Sequence, residues 1–225
     1  MIPGKSLVLV GATGMVGGCA LELALAHPGV ARVISIGRRA TGIAHPKLQE
    51  VLHADFGDCA PLERELRGVD VALYCLGVYT GAQSDAEFKR MTVDFTAEFA
   101  RALHASSPGA TLCLLSAEGA DPSERSRIPF RRYKGMAENA LLRSGLARVH
   151  LFRPGYIHPV VPRTEPNVFY RILRAIYPFA RLLWPGVGIP SIDVARAMLA
   201  VGLDASLAGD GPAIERSEIR HIAGH

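Results

Sequence analysis

Lysine is nearly missing from this 225-residue chain: only Lys5, Lys47, Lys89 and Lys134 are lysine among 25 basic side chains, and the other 21 are arginine. The net excess of charge is small as well, 25 basic against 21 acidic residues for a formal +4. That excess is too slight and too scattered to mark a nucleic-acid binder. Cysteine is scarce, with four residues (Cys19, Cys59, Cys75, Cys113), no CxxC pair and no Cys/His ligand spacing. A disulfide framework and a structural metal site are thereby excluded, and a reducing compartment is expected. Cys75 and Cys113 lie in apolar runs, where a thiol behaves as a small hydrophobe. Long apolar runs are absent too. The opening MIPGKSLVLV turns at once into a glycine-rich loop, which is neither a signal peptide nor a membrane span. A cytoplasmic protein is the resulting expectation.

What is present is a core-forming composition, 49% apolar with 20% charged residues, sized for one domain over 1–225. Apolar runs at Ser6–Val10, Arg32–Ile36, Val51–His53, Val69–Cys75, Ala110–Leu115 and Arg148–Phe152 read as strands. Helical periodicity falls between them at Met15–Ala26, Pro61–Leu66, Ser84–Ala105 and Phe130–Arg143. Strands without polar alternation, each followed by a helix, predict an α/β fold with a doubly wound parallel sheet. The rhythm changes after residue 152, where seven prolines fall within 153–190. A helical stretch, Asn167–Leu183, sets Arg171, Arg174 and Arg181 on one face. It is followed by a short helix at Ile192–Val201 and a polar segment near Ile214–Ile222. Residues 153–225 are therefore expected to form a small C-terminal lobe at the open end of the sheet.

Gly11-Ala12-Thr13-Gly14-Met15-Val16-Gly17 spells G-x-x-G-x-x-G between the first strand and the first helix. The first glycine permits a tight turn, the second admits a diphosphate close to the backbone, and the third lets helix pack on strand. The helix then offers unpaired N–H groups and positive dipole to phosphate oxygens. At the end of the second strand an NAD-binding chain carries an acid for the ribose hydroxyl. Here Gly37-Arg38-Arg39 stands instead. A guanidinium binds a 2′-phosphate that a carboxylate would repel, so the expected cofactor is NADP, with NADPH preferred over NADH. The competing reading of Arg38 and Arg39 is a solvated loop.

The motifs GATGMVG, HADFGD at 53–58, YCLG at 74–77, LLSAEGAD at 114–121, the Lys134 segment and RPGYIHP at 153–159 together resemble the short-chain dehydrogenase/reductase superfamily. The likeness is to its extended and atypical, epimerase-like branches, and within them to the TIP-thirty-like group. The resemblance covers nearly the whole chain and implies a Rossmann fold. It further implies that Asp55 and Phe56 meet the adenine, that Leu76 and Gly77 line the passage to the nicotinamide ribose, and that Pro154 and Gly155 lay backbone beside the carboxamide. Without it, Asp55 before Gly57 is a good turn residue and Arg153-Pro154-Gly155 a turn ending a strand.

The same resemblance implies a catalytic tyrosine four residues before a lysine. The ammonium lowers the phenol pKa and holds the ribose, while a nearby Ser or Thr orients the substrate. Lys134 takes the lysine position, where a compact ammonium suits two ribose hydroxyls better than a flat guanidinium. Phe130 stands in the tyrosine position and carries no proton. Tyr133 is adjacent to Lys134 but points about 100° away on a helix, so it serves only if the helix phase shifts. Ser116 ends the fifth strand, one residue before the family's usual hydroxyl position, which Ala117 occupies. Tyr79, Glu118, Tyr156 and His158 also follow strand ends, where ligands bind in open α/β sheets.

Three functions remain open on this reading. The first is an NADP(H)-dependent oxidoreductase or epimerase-like enzyme for a small carbonyl or hydroxyl substrate, with Lys134, Ser116 and Tyr133 as candidate catalytic residues. The second is an NADP(H)-binding redox sensor without turnover. The third is a membrane-surface or interaction module built on Asn167–Leu183. The expected partners are a small-molecule substrate and, at most, a second copy of the chain, with no nucleic acid and no membrane.

Overall fold

The structure is a computed structural model that describes residues 4–77, 83–160 and 188–224. Its centre is a seven-stranded, wholly parallel sheet in the order β3-β2-β1-β4-β5-β6-β9. The strands are β1 (Lys5–Val10), β2 (Val30–Gly37), β3 (Leu48–Leu52), β4 (Val71–Tyr74), β5 (Thr111–Leu115), β6 (Arg148–Arg153) and β9 (Ala213–Glu215). A separate parallel pair joins β7 (Ile157–His158) to β8 (Ile189–Pro190). β1 sits between β2 and β4, pairing Val10 with both Ile36 and Tyr74. The strand order reverses at β1, so a crevice opens at the carboxyl ends of β1 and β4.

β1 shows why the sheet is doubly wound. Successive side chains leave opposite faces of a strand, and Leu7 and Leu9 enter one core while Val8 and Val10 enter the other. The first core is closed by α1 (Met15–Ala26) and α6 (Ser191–Leu203). The second is closed by α2 (Glu63–Leu66), α4 (Phe95–Ser106) and α5 (Pro129–Leu142). The remaining helices are α3 (Asp85–Lys89) and α7 (Arg216–Ala223).

Three elements depart from the sequence expectation. β3 begins three residues earlier than its apolar run, because Gln49 and Glu50 face solvent on an edge strand. The stretch 84–105 is not one regular helix: a π-helical turn, Arg90–Asp94, separates α3 from α4. Such turns are invisible to a 3.6-residue periodicity and recur beside functional sites. The polar segment at 214–222 supplies both the seventh strand and α7. The described part of 153–225 thus adds a strand to the central sheet and lays α6 on its face. The Asn167–Leu183 stretch and Tyr79 lie outside the described residues. Among those residues no helix is long and apolar enough to cross a membrane, and no group of three or more His, Cys, Asp or Glu side chains gathers to hold a metal ion.

Candidate functional site

The glycine loop is set by contacts that leave no space for side chains. Gly11 has φ +89°, and a Cβ there would lie 2.8 Å from the Cys75 carbonyl carbon. A Cβ on Gly14 would stand 2.9 Å from the Gly11 carbonyl oxygen, and one on Gly17 only 2.1 Å from it. The loop closes through the Gly14 N–H, which donates to the Gly11 carbonyl at 2.8 Å. Gly14 caps α1 without a side-chain bond, and the first turn of α1 carries no acid. Its unpaired N–H groups are therefore available to an anion. This cradle fits the diphosphate of a dinucleotide.

A cleft runs over this loop, with Thr13, Met15 and Val16 on one bank and Arg38, Arg39 and Leu76 on the other. Both arginines are exposed where β2 ends. A neighbouring recess is bounded by Ser35, Gly37, Arg38 and Phe56. Phe56 is buried, 2% exposed, with its ring packed edge-on against His53 at 5.2 Å and beside Phe95. Its ring is thus largely a core group, and the residue also lines this recess. Asp55 is exposed but occupied: its carboxylate accepts from the Gly57 N–H at 2.9 Å and from Arg90 at 3.1 Å.

Leu76 and Gly77 line both this cleft and an inner recess that holds Lys134 together with Phe88, Met91 and Thr92. The half-buried Lys134 ammonium donates to the Leu115 carbonyl at 3.2 Å. Loss of water pulls its pKa down to about 8, against the opposing pull of the Glu138 carboxylate. Helix α5 comes this close because Gly135 lets it lie on the loop before it; a Cβ there would collide with the Asp121 carbonyl. Asp121 knits that loop, accepting from the backbone N–H groups of Ser123, Arg125 and Ser126.

The other proton-carrying candidates fall elsewhere. Tyr133 does not join Lys134, which corrects the expectation that a phase shift could bring them together. Its ring is buried with Phe88 and Val93, and its hydroxyl donates to Asp85 at 2.6 Å while accepting from Arg132 at 3.3 Å. Helix phase decided this, since neighbours on a helix diverge. Phe130 does lie one turn before Lys134, but its ring stacks on Phe88 with centroids 6.3 Å apart. Ser116 is 5% exposed and gives its hydroxyl proton to Glu138 at 2.5 Å. It is a strut at the end of β5, and its proton is committed. Pro154 accepts from the Glu118 N–H at 3.2 Å, and a Cβ on Gly155 would meet the Glu118 carboxylate at 2.4 Å. The Pro154 carbonyl thus ties this turn to the loop after β5, while Gly155 lies beside the movable side chains of Glu118 and Arg216.

Glu138 and Arg153 were not singled out by sequence. Glu138 is 1% exposed and is clamped by Arg153, whose Nε lies 2.9 Å and whose Nη2 lies 2.5 Å from the carboxylate oxygens. Arg153 also reaches Glu215 at 3.1 Å. The signal for Glu138 was its i+4 spacing from Lys134, which places both on one helix face.

No family model matches the chain. Among curated proteins it is 32% identical over 216 residues to "Protein fmp52-1, mitochondrial" of Aspergillus terreus, covering 92% of this chain and 91% of the relative. It is 27% identical over 225 residues to "Protein HTATIP2" of Rattus norvegicus, covering 97% and 89% respectively. Among solved structures it resembles a short-chain dehydrogenase/reductase family oxidoreductase from Burkholderia thailandensis (TM-score 0.65, 18% identity, 96% and 92% coverage). It also resembles Gre2 of Candida albicans in complex with NADPH (TM-score 0.70, 15% identity, 94% and 77% coverage). The cytoplasmic expectation does not survive these matches, because the Fmp52 relatives are named mitochondrial. Compartment is a receptor-read address, and cysteine usage and apolar run lengths do not encode it. The chain belongs to the family of the Fmp52 proteins, its similarity to HTATIP2 agrees with the TIP-thirty-like resemblance, and its fold is that of the short-chain dehydrogenase/reductase structures.

Proposed function

We propose that the chain is an NADP(H)-dependent oxidoreductase or epimerase-like enzyme for a small carbonyl or hydroxyl substrate, working with an altered Tyr-Lys site. One observation carries this reading: the cleft of Arg38, Arg39 and the glycine cradle and the recess of Lys134 share Leu76 and Gly77 as a common wall. Together their chemical groups suit a 2′-phosphate, a diphosphate and a nicotinamide ribose in turn. The structural likeness to Gre2, solved with NADPH, supports the same cofactor.

When bound, the nicotinamide supplies or accepts hydride. The first-turn N–H groups of α1 hold the diphosphate, and the two guanidinium groups answer the 2′-phosphate. Lys134 donates to ribose oxygens, and with a pKa near about 8 it can also release a proton close to neutral pH. Leu76, Phe88 and Met91 give the inner recess apolar walls, which favours a small, largely apolar carbonyl compound.

Calorimetry with NADPH and NADH, on the parent and on Arg38→Asp, tests the reading. The parent should prefer NADPH. The variant should lose about 100-fold in NADPH affinity, the worth of a charge-assisted bond plus the new repulsion, with NADH little changed. A parent that prefers NADH refutes the 2′-phosphate assignment. A second reading, an NADP(H)-binding sensor without turnover, is favoured by Phe130 stacking on Phe88 and by the Tyr133 hydroxyl being bound to Asp85.

A further inference from the structure

Four charged or hydroxyl-bearing side chains from α5, β5, β6 and β9 meet beneath Lys134, more than holding a strand end requires. The Glu138 carboxylate receives three bonds: the Ser116 hydroxyl at 2.5 Å and two from the Arg153 guanidinium, at 2.9 and 2.5 Å. Arg153 is anchored in turn by Glu215. Glu138 is 1% exposed and stands one helical turn beyond Lys134. A carboxylate buried this deeply is tolerated only when paired and hydrogen-bonded, and the clamp supplies both.

We propose that Glu138 is the positioning residue of the site. Clamped by Arg153, its carboxylate locks Ser116 and supplies the counter-charge that keeps the Lys134 ammonium protonated and directed at the strand ends of the cleft. Glu138 is the charged group that acts on Lys134, and the recess that holds Lys134 is otherwise lined by uncharged side chains. The π-turn side offers Phe88, Met91, Thr92 and Thr96, and the strand side offers Leu76 and Leu114. Arg153, paired with Glu138, is paired in turn with Glu215. The balance at Lys134 is therefore between loss of water, which favours the free amine, and Glu138, which favours the ammonium.

This inference deepens the proposed use of Lys134, but it can be tested without cofactor or substrate. Having only four lysines makes the test clean. Competitive acylation across pH, read peptide by peptide by mass spectrometry, reports the Lys134 titration beside Lys5, Lys47 and Lys89 as internal references. Glu138→Gln should move the Lys134 midpoint down from about 8 by about one unit or more. The free amine below the midpoint, and hence the labelling rate there, then rises about tenfold per unit. Ser116→Ala keeps the carboxylate and should leave the midpoint near that of the parent.

A merely structural role predicts the opposite sign. If loss of Glu138 only loosened the packing, water would enter and the midpoint would climb toward that of an ordinary lysine. A rise, or no change, in Glu138→Gln overturns the proposal. Should that variant fail to fold because Arg153 is left with one partner, adding Arg153→Gln and Glu215→Gln removes all three coupled charges and the same net −1. The triple variant carries the same expected fall and the same overturning result. The labelling result stands whichever cofactor binds, so failure of the NADP(H) reading and failure of this one are separable.

Discussion

The two ends of the cleft are made of different material. At the glycine-loop end the groups are backbone: a carbonyl turn at Gly11, the N–H groups opening α1, and glycines whose missing side chains create the space. At the Lys134 end they are side chains from α5, the end of β5 and β6: Lys134 and Glu138, Ser116 and Arg153, with Glu138 bonded to Ser116 and Arg153. A backbone site is written in spacing, since only glycine satisfies its contacts. A side-chain site depends on helix phase and rotamer, which spacing constrains only loosely. The first end should therefore break under almost any substitution, and the second should respond in graded steps.

The largest expected effect is at Gly17. Valine there would drive its Cβ to 2.1 Å from the Gly11 carbonyl oxygen, forcing helix and loop apart. Gly17→Val should cost about 3 kcal/mol of stability and at least about 100-fold in dinucleotide affinity. Urea unfolding and calorimetry together measure the two losses. Normal affinity in a stable Gly17→Val protein would show that the loop yields, and the contrast between the two ends would fall.

Next in size is Lys134, where the effect has a sign that changes with pH. Its pKa lies near about 8 against an ordinary 10.5, so the folded state bears a penalty for the buried charge. That penalty is complete below pH 8 and is relieved as pH rises toward 10.5, because in that window the unfolded chain binds the proton and the folded chain does not. Methionine keeps much of the length and carries no charge to desolvate. Lys134→Met should therefore be about 2 kcal/mol more stable than the parent at pH 7, after roughly 1 kcal/mol is lost with the bond to Leu115. The gain should shrink between pH 8 and 9.5. Urea midpoints at pH 7 and 9.5 test this, and a variant less stable at pH 7 would mean that the ammonium is not under strain.

The same division explains what could be read before the structure. β1, β2, β4, β5 and β6 are runs of buried apolar residues, and their parallel order followed from strand-helix alternation. β3 and β9 were partly or wholly missed, because edge strands expose Gln49, Glu50 and Glu215 and so look like loop. The π-turn at Arg90–Asp94 left no trace, since one extra residue in a turn does not disturb a short periodic pattern. The spacing of Gly11, Gly14 and Gly17 predicts a tight turn and close packing, and the contacts a Cβ would meet at each agree with that. Tyr133 and Ser116 had the right chemistry in nearly the right place, and only the three-dimensional partners, Asp85 and Glu138, show that their hydroxyl protons are spent. Phe56 came from the resemblance alone; its ring is buried, and the residue still lines the recess beside Arg38.

The smallest expected effect is at Phe130, and it bears on whether the protein turns over at all. A tyrosine four residues before Lys134 would restore the family's proton carrier if the ring faced the cleft. Here the ring lies flat on Phe88, 6° from parallel, on the side of α5 that also buries Tyr133. A hydroxyl added to it should stay with that cluster. Phe130→Tyr should therefore change NADPH oxidation with small carbonyl substrates by less than about twofold. Phe130→Ala should retain activity, whereas Lys134→Ala should lose at least about 100-fold. A rise of more than about tenfold in Phe130→Tyr would mean that the ring swings into the cleft, and the side-chain end would then be as forgiving as a rebuilt tyrosine site. Absence of sustained oxidation in a parent that binds NADPH tightly would instead favour the sensor, because a proton carrier displaced into a packed aromatic cluster leaves a cofactor site with nothing to complete the reaction.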